Sequence, residues 1–190
     1  MERVFVSSIE TPVGTVRVAS SGEGVCRVAL PSESDEAFLA WLGDSFPGAS
    51  IEPGETENHQ VEEQLIGYFS GRTKEFSVPL DLKGTAFQTR VWKAIAEIPH
   101  GQTRSYADIA ARIGQPRACR AVGGANRANP IPIIIPCHRV VGANGSLTGY
   151  GGPQGVGLKA RLLELEGVAC TEDSRVAIPP SRATSQEVGS

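Results

Sequence analysis

The sequence predicts an α+β fold in two modules, an acidic strand-rich one followed by a basic helical one built around a helix-turn-helix. Charge reverses at a single place: residues 1–83 carry 6 Lys+Arg against 14 Asp+Glu, whereas residues 84–168 carry 10 against 4. Hydrophobic periodicity changes at the same place, from alternation to helical spacing. Helix stops and starts then recur at the spacing of a helix-turn-helix. The 190 residues, 40% hydrophobic and 21% charged, give core enough for one or two small domains and exclude disorder and collagen.

In the acidic module, Arg3-Val-Phe-Val and Gly14-Thr-Val-Arg-Val alternate in the strand manner around the turn Thr11-Pro-Val-Gly14, and Gly24 to Leu30 supplies a third strand. Helices are expected over Asp35 to Leu42 and Glu57 to Phe69. The alternating segment Glu75 to Asp81 leads to the charge reversal at residue 83. No catalytic residue types cluster in this module. Cys26 is expected to pack as a small hydrophobe and His59 to sit on an exposed helix face.

In the basic module, Phe87, Val91, Trp92 and Ile95 form one face of a helix over Ala86 to Ile98, stopped by Pro99-His-Gly101. Ser105, with Asp108 three residues on, reads as a capping box opening a helix that Gly114 ends. After Gly114-Gln-Pro116 a further helix is expected to carry Arg117, Arg120 and Arg127 on one face and Ala118, Ala121, Val122 and Ala125 on the other. Only this module suits a polyanion. Ile131 to Val141 is an extended apolar segment in which Pro136 fixes the approach to Cys137. Val140-Val141 and Leu147-Thr148 flank Asn144-Gly145, which predicts a hairpin. A last helix runs from about Val156 to Glu166 before Gly167, and residues 169–190 are expected to form a disordered tail.

The N-terminal ten residues lack the apolar core of a secretory signal, and no stretch is apolar and long enough for a membrane span, so the chain is expected to stay inside the cell. Cysteines at 26, 119, 137 and 170 form no C-x-x-C pair, which predicts neither a disulfide framework nor a metal site.

Cys137 and His138 are adjacent at the end of the rigid apolar segment. Leu158, Leu162 and Leu165 are read as the buried stripe of the last helix, on which Glu166 points inward and Glu164 outward. An inward carboxylate near a helix C-terminus opposes the macrodipole and needs a positively polarised partner. An imidazole supplies one. Cys137, His138 and Glu166 then make a nucleophile, a base and an orienter.

Ile135-Pro-Cys-His-Arg-Val140, preceded by Arg120-Ala-Val-Gly-Gly-Ala-Asn126 and Asn129-Pro130 and followed by Gly149-Tyr-Gly151 and Leu162-Leu-Glu-Leu-Glu-Gly167, resembles the alkylguanine-DNA alkyltransferase family. The resemblance covers about Gly84 to Gly167. It implies a small ribonuclease-H-like N-terminal domain and a helix-turn-helix, winged-helix-like C-terminal domain. It also implies irreversible transfer of an alkyl group from O6-alkylguanine in DNA to the Cys137 thiolate, with O4-alkylthymine left open as a further substrate. No cofactor is implied. His138 would take the thiol proton through a water and Glu166 would orient the ring. Tyr106 would donate to the base, Asn129 would brace the turn, and the carbonyls of Cys137 and Val140 would receive the exocyclic amine. Tyr150 would wall the pocket, and the Gly151 N–H would face O6. Arg120 would fill the space left by the flipped nucleotide, and Ala118, Ala121 and Gly123 would let the helix approach the minor groove of double-stranded DNA, flanked by Arg117 and Arg127. A monomer is expected, in the compartment that holds the DNA: cytoplasm or nucleoid in a prokaryote, nucleus in a eukaryote.

Cys119, His100 and the long segment Pro153 to Gly157 depart from the family's usual pattern. Two other classes remain open. A winged-helix regulator explains the basic helices but gives Cys137, His138 and Glu166 no task. A cysteine hydrolase uses the three but not the basic helix.

Overall fold

The computed structural model describes residues 2–148 and 155–177. Its N-terminal module is a four-stranded sheet of order β3-β2-β1-β4, with β1 at Arg3–Thr11, β2 at Gly14–Ser21, β3 at Gly24–Ala29 and β4 at Ser50–Pro53. β1, β2 and β3 pair antiparallel through short turns, while β4 lies parallel to β1 after the crossover helix α1, Asp35–Ser45. Ser34 caps α1, its hydroxyl accepting from the Ala37 N–H. A second helix, α2, spans His59–Phe69.

Alternation along the strands decides what each sheet face buries. Ala19, Cys26 and Ala29 turn to one face, where Phe38 and Leu42 of α1 cover them. Val18, Val25 and Val28 turn to the other, into a core shared by α2 and by Val91, Trp92 and Ile95 of the basic module. The two modules therefore rest on one continuous core. The segment Glu75 to Asp81 runs along the exposed side of β3, where Val25 N–H donates to Pro79 O and Asp81 N–H to Val25 O, both at 2.9 Å. It covers a sheet edge that would otherwise offer unpaired backbone groups. Gly24 permits that approach: its φ is +144°, and a Cβ there would lie 2.4 Å from Pro79 O.

The basic module begins with α3, Ala86–Ala96, whose Thr85 and Gln88 form a capping box. A short strand β5, Arg104–Ser105, leads into α4, Tyr106–Arg112, with Ser105 and Asp108 capping reciprocally as expected. Gly114 ends α4 at φ +73°. The recognition helix of the pair is α5, Cys119–Arg127, tied to α3 by the Trp92 indole donating to Ala125 O at 2.8 Å. Beyond it, Asn129 folds the apolar segment back on itself: its amide donates to Ile135 O at 2.8 Å and accepts from the Ile131 N–H at 3.0 Å. Ile133 adopts φ +73°, a strained conformation for a β-branched residue that the surrounding buried packing holds. A 3₁₀ turn, Cys137–Arg139, precedes β6, Val140–Val141, and α6 spans Gly155–Leu165.

Five expectations change. Arg117 lies in the turn before α5, where Ala118 N–H bonds to Gln115 O, so only Arg120 and Arg127 belong to the helix. Ala121 is exposed beside Arg120 and not on the packing side, because the buried face of α5 is set by Val122, Ala125 and Asn126. Gly142 and Asn144-Gly145 make a turn, but β6 pairs parallel with β5; Leu147 instead bonds to Ser174 O. Leu165 is 39% exposed, and the buried face of α6 runs through Lys159, Leu162 and Leu163. Residues 170–176 are not a disordered tail: β7, Cys170–Thr171, and β8, Arg175–Val176, form a small hairpin, with Val176 packed on Val141, Leu147 and Leu163. Those sidedness and pairing choices depend on neighbours distant in sequence.

Candidate active site

Cys137 sits at the start of the 3₁₀ turn, 4% exposed, after a segment with no freedom to move it: Asn129 pins Ile135, and the Cys137 N–H donates to Ile135 O at 2.7 Å. His138 is fully buried and Glu166 is 6% exposed. His138 Nε2 lies 2.6 Å from Glu166 Oε1. Glu164 is exposed, so the inward choice between the two glutamates holds.

The Glu166 carboxylate collects five donors. Oε1 accepts from the Tyr68 hydroxyl at 2.8 Å, from His138 Nε2 and from Arg139 Nη2 at 3.0 Å; Oε2 accepts from Arg139 Nε at 2.8 Å and the Gly101 N–H at 3.1 Å. Burial by itself would raise its pKa, but the hydrogen bonds and charges of His138 and Arg139 outweigh burial and hold it well below the usual carboxylate range. The two-point contact with the Arg139 guanidinium keeps Glu166 ionised even when the imidazole is neutral. Burial lowers the His138 pKa, with Glu166 opposing. Burial and the adjacent Glu166 raise that of Tyr68, which therefore serves as a phenol donor.

The charge state assigns the tautomer. An ionised carboxylate can only accept, so Nε2 of neutral His138 carries the hydrogen and Nδ1 keeps its lone pair. Among the described residues Nδ1 is buried without a hydrogen-bond partner, as a base awaiting a proton would be.

Lys159 adds a charge to the site. It is fully buried, and its ammonium donates to Val140 O and, at 2.9 Å, to Thr148 O. Burial pulls its pKa down to about 8, while the charge of Cys137 pulls in the other direction. A cation in electrostatic contact with the sulfur favours the thiolate, the nucleophilic form. The Tyr106 hydroxyl donates to Thr148 O at 2.9 Å. A cavity of about 370 Å³ reaches Cys137 from another side, between the end of α5 and the acidic module, lined by Cys137, Asn126, Asn129 and Pro132 and by Val28 and Trp41; Tyr106, Thr148 and Lys159 are not part of its lining.

Arg120, Arg127 and Ala121 are exposed on α5, Arg117 is exposed in the preceding turn, and Ala118 and Gly123 are half-buried. These groups make one basic, small-residue surface on the outer side of the helix whose inner end reaches Cys137. Val140 lies beside the site, its carbonyl on Lys159. Tyr150 and Gly151 lie outside the described residues.

Three members of the site were missed by sequence reading: Tyr68, Arg139 and Lys159. Arg139 had a visible signal, since a guanidinium inside an apolar run needs a buried anion. Lys159 lies seven residues before Glu166 and hence on the same helix face, but a lone lysine on a helix reads as solvated. Tyr68 gave none, because in α2 it is one apolar position among Leu65, Tyr68 and Phe69.

Fold and site together define a DNA-binding-type α+β protein with a buried thiol, an oriented imidazole and a stabilising cation. Residues 4–82 match the family model of the 6-O-methylguanine DNA methyltransferase ribonuclease-like domain, and residues 86–168 that of its DNA-binding domain. The chain is 56% identical over 162 residues to a methylated-DNA–protein-cysteine methyltransferase of Mycolicibacterium paratuberculosis, covering 84% of this chain and 90% of that one. It is 43% identical over 169 residues to the constitutive protein of that name in Bacillus subtilis, covering 88% and 98%. Among solved structures, the Mycobacterium tuberculosis OGT in complex with DNA superposes with a TM-score of 0.72 at 44% identity, covering 85% of this chain and 92% of that one. The chain belongs to the 6-O-methylguanine DNA methyltransferase family.

Proposed function

We infer that this protein repairs DNA directly, as a suicide methyltransferase that moves an alkyl group from the O6 atom of guanine onto the Cys137 sulfur. The observation that carries the reading is the buried chain Glu166, His138 and Cys137, with the carboxylate fixed by Arg139 and the thiol beside a cavity. In the reaction the thiol proton passes to His138 Nδ1, through a water by the resemblance. The resulting imidazolium is stabilised by Glu166, and Lys159 supports the thiolate. Sulfur then attacks the alkyl carbon, the carbon–O6 bond breaks, and its electron pair leaves with guanine as an anion. The Tyr106 hydroxyl, released from Thr148 O, is positioned to donate to the base as that charge develops. Asn129 keeps Cys137 in place. The Cys137 and Val140 carbonyls meet the exocyclic amine, and the family resemblance assigns Tyr150 and the Gly151 N–H to the base as well.

The target oxygen lies inside the stacked duplex, so the nucleotide must be flipped out at a cost of a few kcal/mol. Arg120 on α5 takes its place in the stack, with Arg117 and Arg127 against phosphates and Ala118, Ala121 and Gly123 permitting close approach. The product is a thioether, which has no acidic proton and is a poor leaving group. Each chain therefore acts once, without a cofactor and as a monomer.

Incubation with duplex containing O6-methylguanine, followed by intact-protein mass, should show one added methyl per chain and none in Cys137→Ala. Burial pushes the Cys26 thiol up to about 12, so it offers no substitute. Methyl transfer to Cys26, Cys119 or Cys170 in that variant would sink the assignment.

A further inference from the structure

Tyr68 stands on α2 of the acidic module, 98 residues before Glu166, and is 1% exposed. Its hydroxyl donates to Glu166 Oε1 at 2.8 Å and lies 3.3 Å from His138 Nε2. Among the described residues this is the acidic module's one hydrogen-bonded contact with the Glu166 and His138 side chains. The ring packs independently of that contact, with centroids 5.4 Å from Phe69, 5.9 Å from Phe76 and 6.5 Å from His100. Packing explains the ring and leaves the oxygen to be explained, since a phenylalanine would make the same ring contacts.

A carboxylate offers about four lone-pair positions, two on each oxygen. Three donors, from Tyr68, His138 and Arg139, converge on Glu166 Oε1 and must share what it can give. Arg139 is anchored by its second bond to Oε2, so the phenol is the neutral competitor of the imidazole. The competition bears on proton transfer. Nε2–H donates in both states of the ring, and its bond to Oε1 strengthens when Nδ1 takes the thiol proton and the ring becomes a cation. A carboxylate already holding the phenol gives that cation less. The other groups facing the ring are Arg139 in its own turn and Lys159 of α6, both cations that oppose its protonation, with Cys137 beside it and His100 behind Tyr68. None of these is altered by removing the Tyr68 oxygen. Burial and the adjacent Glu166 keep Tyr68 a phenol throughout.

Resting on the alkyltransfer reading, we propose that Tyr68 is a positioning residue through which the acidic module sets the basicity of His138. Its hydroxyl fixes Oε1 beside Nε2 and takes part of that oxygen's accepting capacity, so the imidazole stays neutral, and ready for the Cys137 proton, further into acid solution. The thiol proton goes to Nδ1, Nε2 and Tyr68 keep their own, and no proton passes to the acidic module.

Tyr68→Phe keeps the ring and removes the hydroxyl. Single-turnover methyl transfer from duplex containing O6-methylguanine, followed against pH, should show an acid limb moved up by about half to one pH unit, the scale of one shared hydrogen bond. Loss of packing alone would lower the rate at every pH and leave the limb in place. Titration of the His138 ring by NMR, without DNA, should move by the same amount in the same direction. In the unaltered protein, where no variant has to fold, the Tyr68 hydroxyl proton should be protected from exchange and its resonance should shift at the pH where His138 titrates. A limb and a ring titration that stay in place or move down in Tyr68→Phe overturn the proposal, as does a hydroxyl proton indifferent to His138 protonation. Failure of the unaltered protein to accept a methyl group would overturn the alkyltransfer reading instead, and the ring titration would still decide the role of Tyr68.

Discussion

Arg139 grips the Glu166 carboxylate in a two-point clasp, Nε on Oε2 at 2.8 Å and Nη2 on Oε1 at 3.0 Å, with both side chains out of water. The clasp joins the last helix to the turn that carries Cys137, and its remaining N–H group donates to Ile98 O at the end of the α3 region. Two residues from the nucleophile, a structural ion pair and a catalytic orienter share a carboxylate.

Glu166→Gln should therefore slow alkyl transfer and also destabilise, by about 3–5 kcal/mol, because it leaves a buried guanidinium without its anion. Glu164→Gln should do neither, since that side chain is exposed. Chemical denaturation beside transfer kinetics measures both. Equal effects of the two substitutions would mean that the inward carboxylate has no special role.

The same clasp sets acid stability. Glu166 has a folded pKa depressed below its usual 4.5, so it binds fewer protons folded than unfolded, and its contribution is present above about 4.5 and lost as pH falls below that. Glu166→Gln should flatten the acid limb of a stability-versus-pH curve. A limb of undiminished steepness would assign it to other carboxylates.

His138 must be neutral to accept a proton, and burial lowers its pKa below 6.5. The rate of transfer should therefore keep its plateau below pH 6.5 and fall only in more acid solution. A half-maximal rate at or above 6.5 would show an imidazole in a solvated setting.

Lys159 trades stability for reactivity. Its pKa falls from 10.5 unfolded to about 8 folded, so the folded state carries the cost of a buried cation below pH 8, and stability attributable to this group rises between pH 8 and 10.5. Lys159→Met should remove that rise and leave the protein at least as stable at neutral pH, while slowing transfer through loss of the cation near the thiolate. Thermal melts at two pH values and single-turnover rates check it. A variant as fast as the unaltered protein would free Lys159 of any part in reactivity.

Once Cys137 carries a methyl group, the added carbon must fit in a turn that Asn129, Pro136 and the strained Ile133 hold rigid. Overpacking of this kind costs about 1–3 kcal/mol. The methylated protein should melt lower and be cleaved faster by protease than the free form. Equal melting temperatures would show that the cavity beside Cys137 absorbs the group.

Much of this protein can be read from its sequence by local rules. Alternation placed β1 to β3, the Ser105 and Asp108 capping box placed α4, and helix phase chose Glu166 over Glu164, because each depends on residues within a few positions of one another. The Cys-His pair after Pro136 and the charge reversal near residue 83 are likewise local in sequence, and with the motifs around them they point to chemistry on a polyanion. What lies far apart in sequence only the tertiary structure decided. Tyr68 reaches Glu166 from the other module across the shared core, and Lys159 turns inward because two carbonyls, Val140 and Thr148, await it. β6 chooses β5 over the strand predicted beside it, and Ala121 faces out with Arg120 although Val122 next to it packs. Burial and partnership are properties of the assembled core. A residue's own neighbours in the chain cannot say which distant donor will come to rest against it.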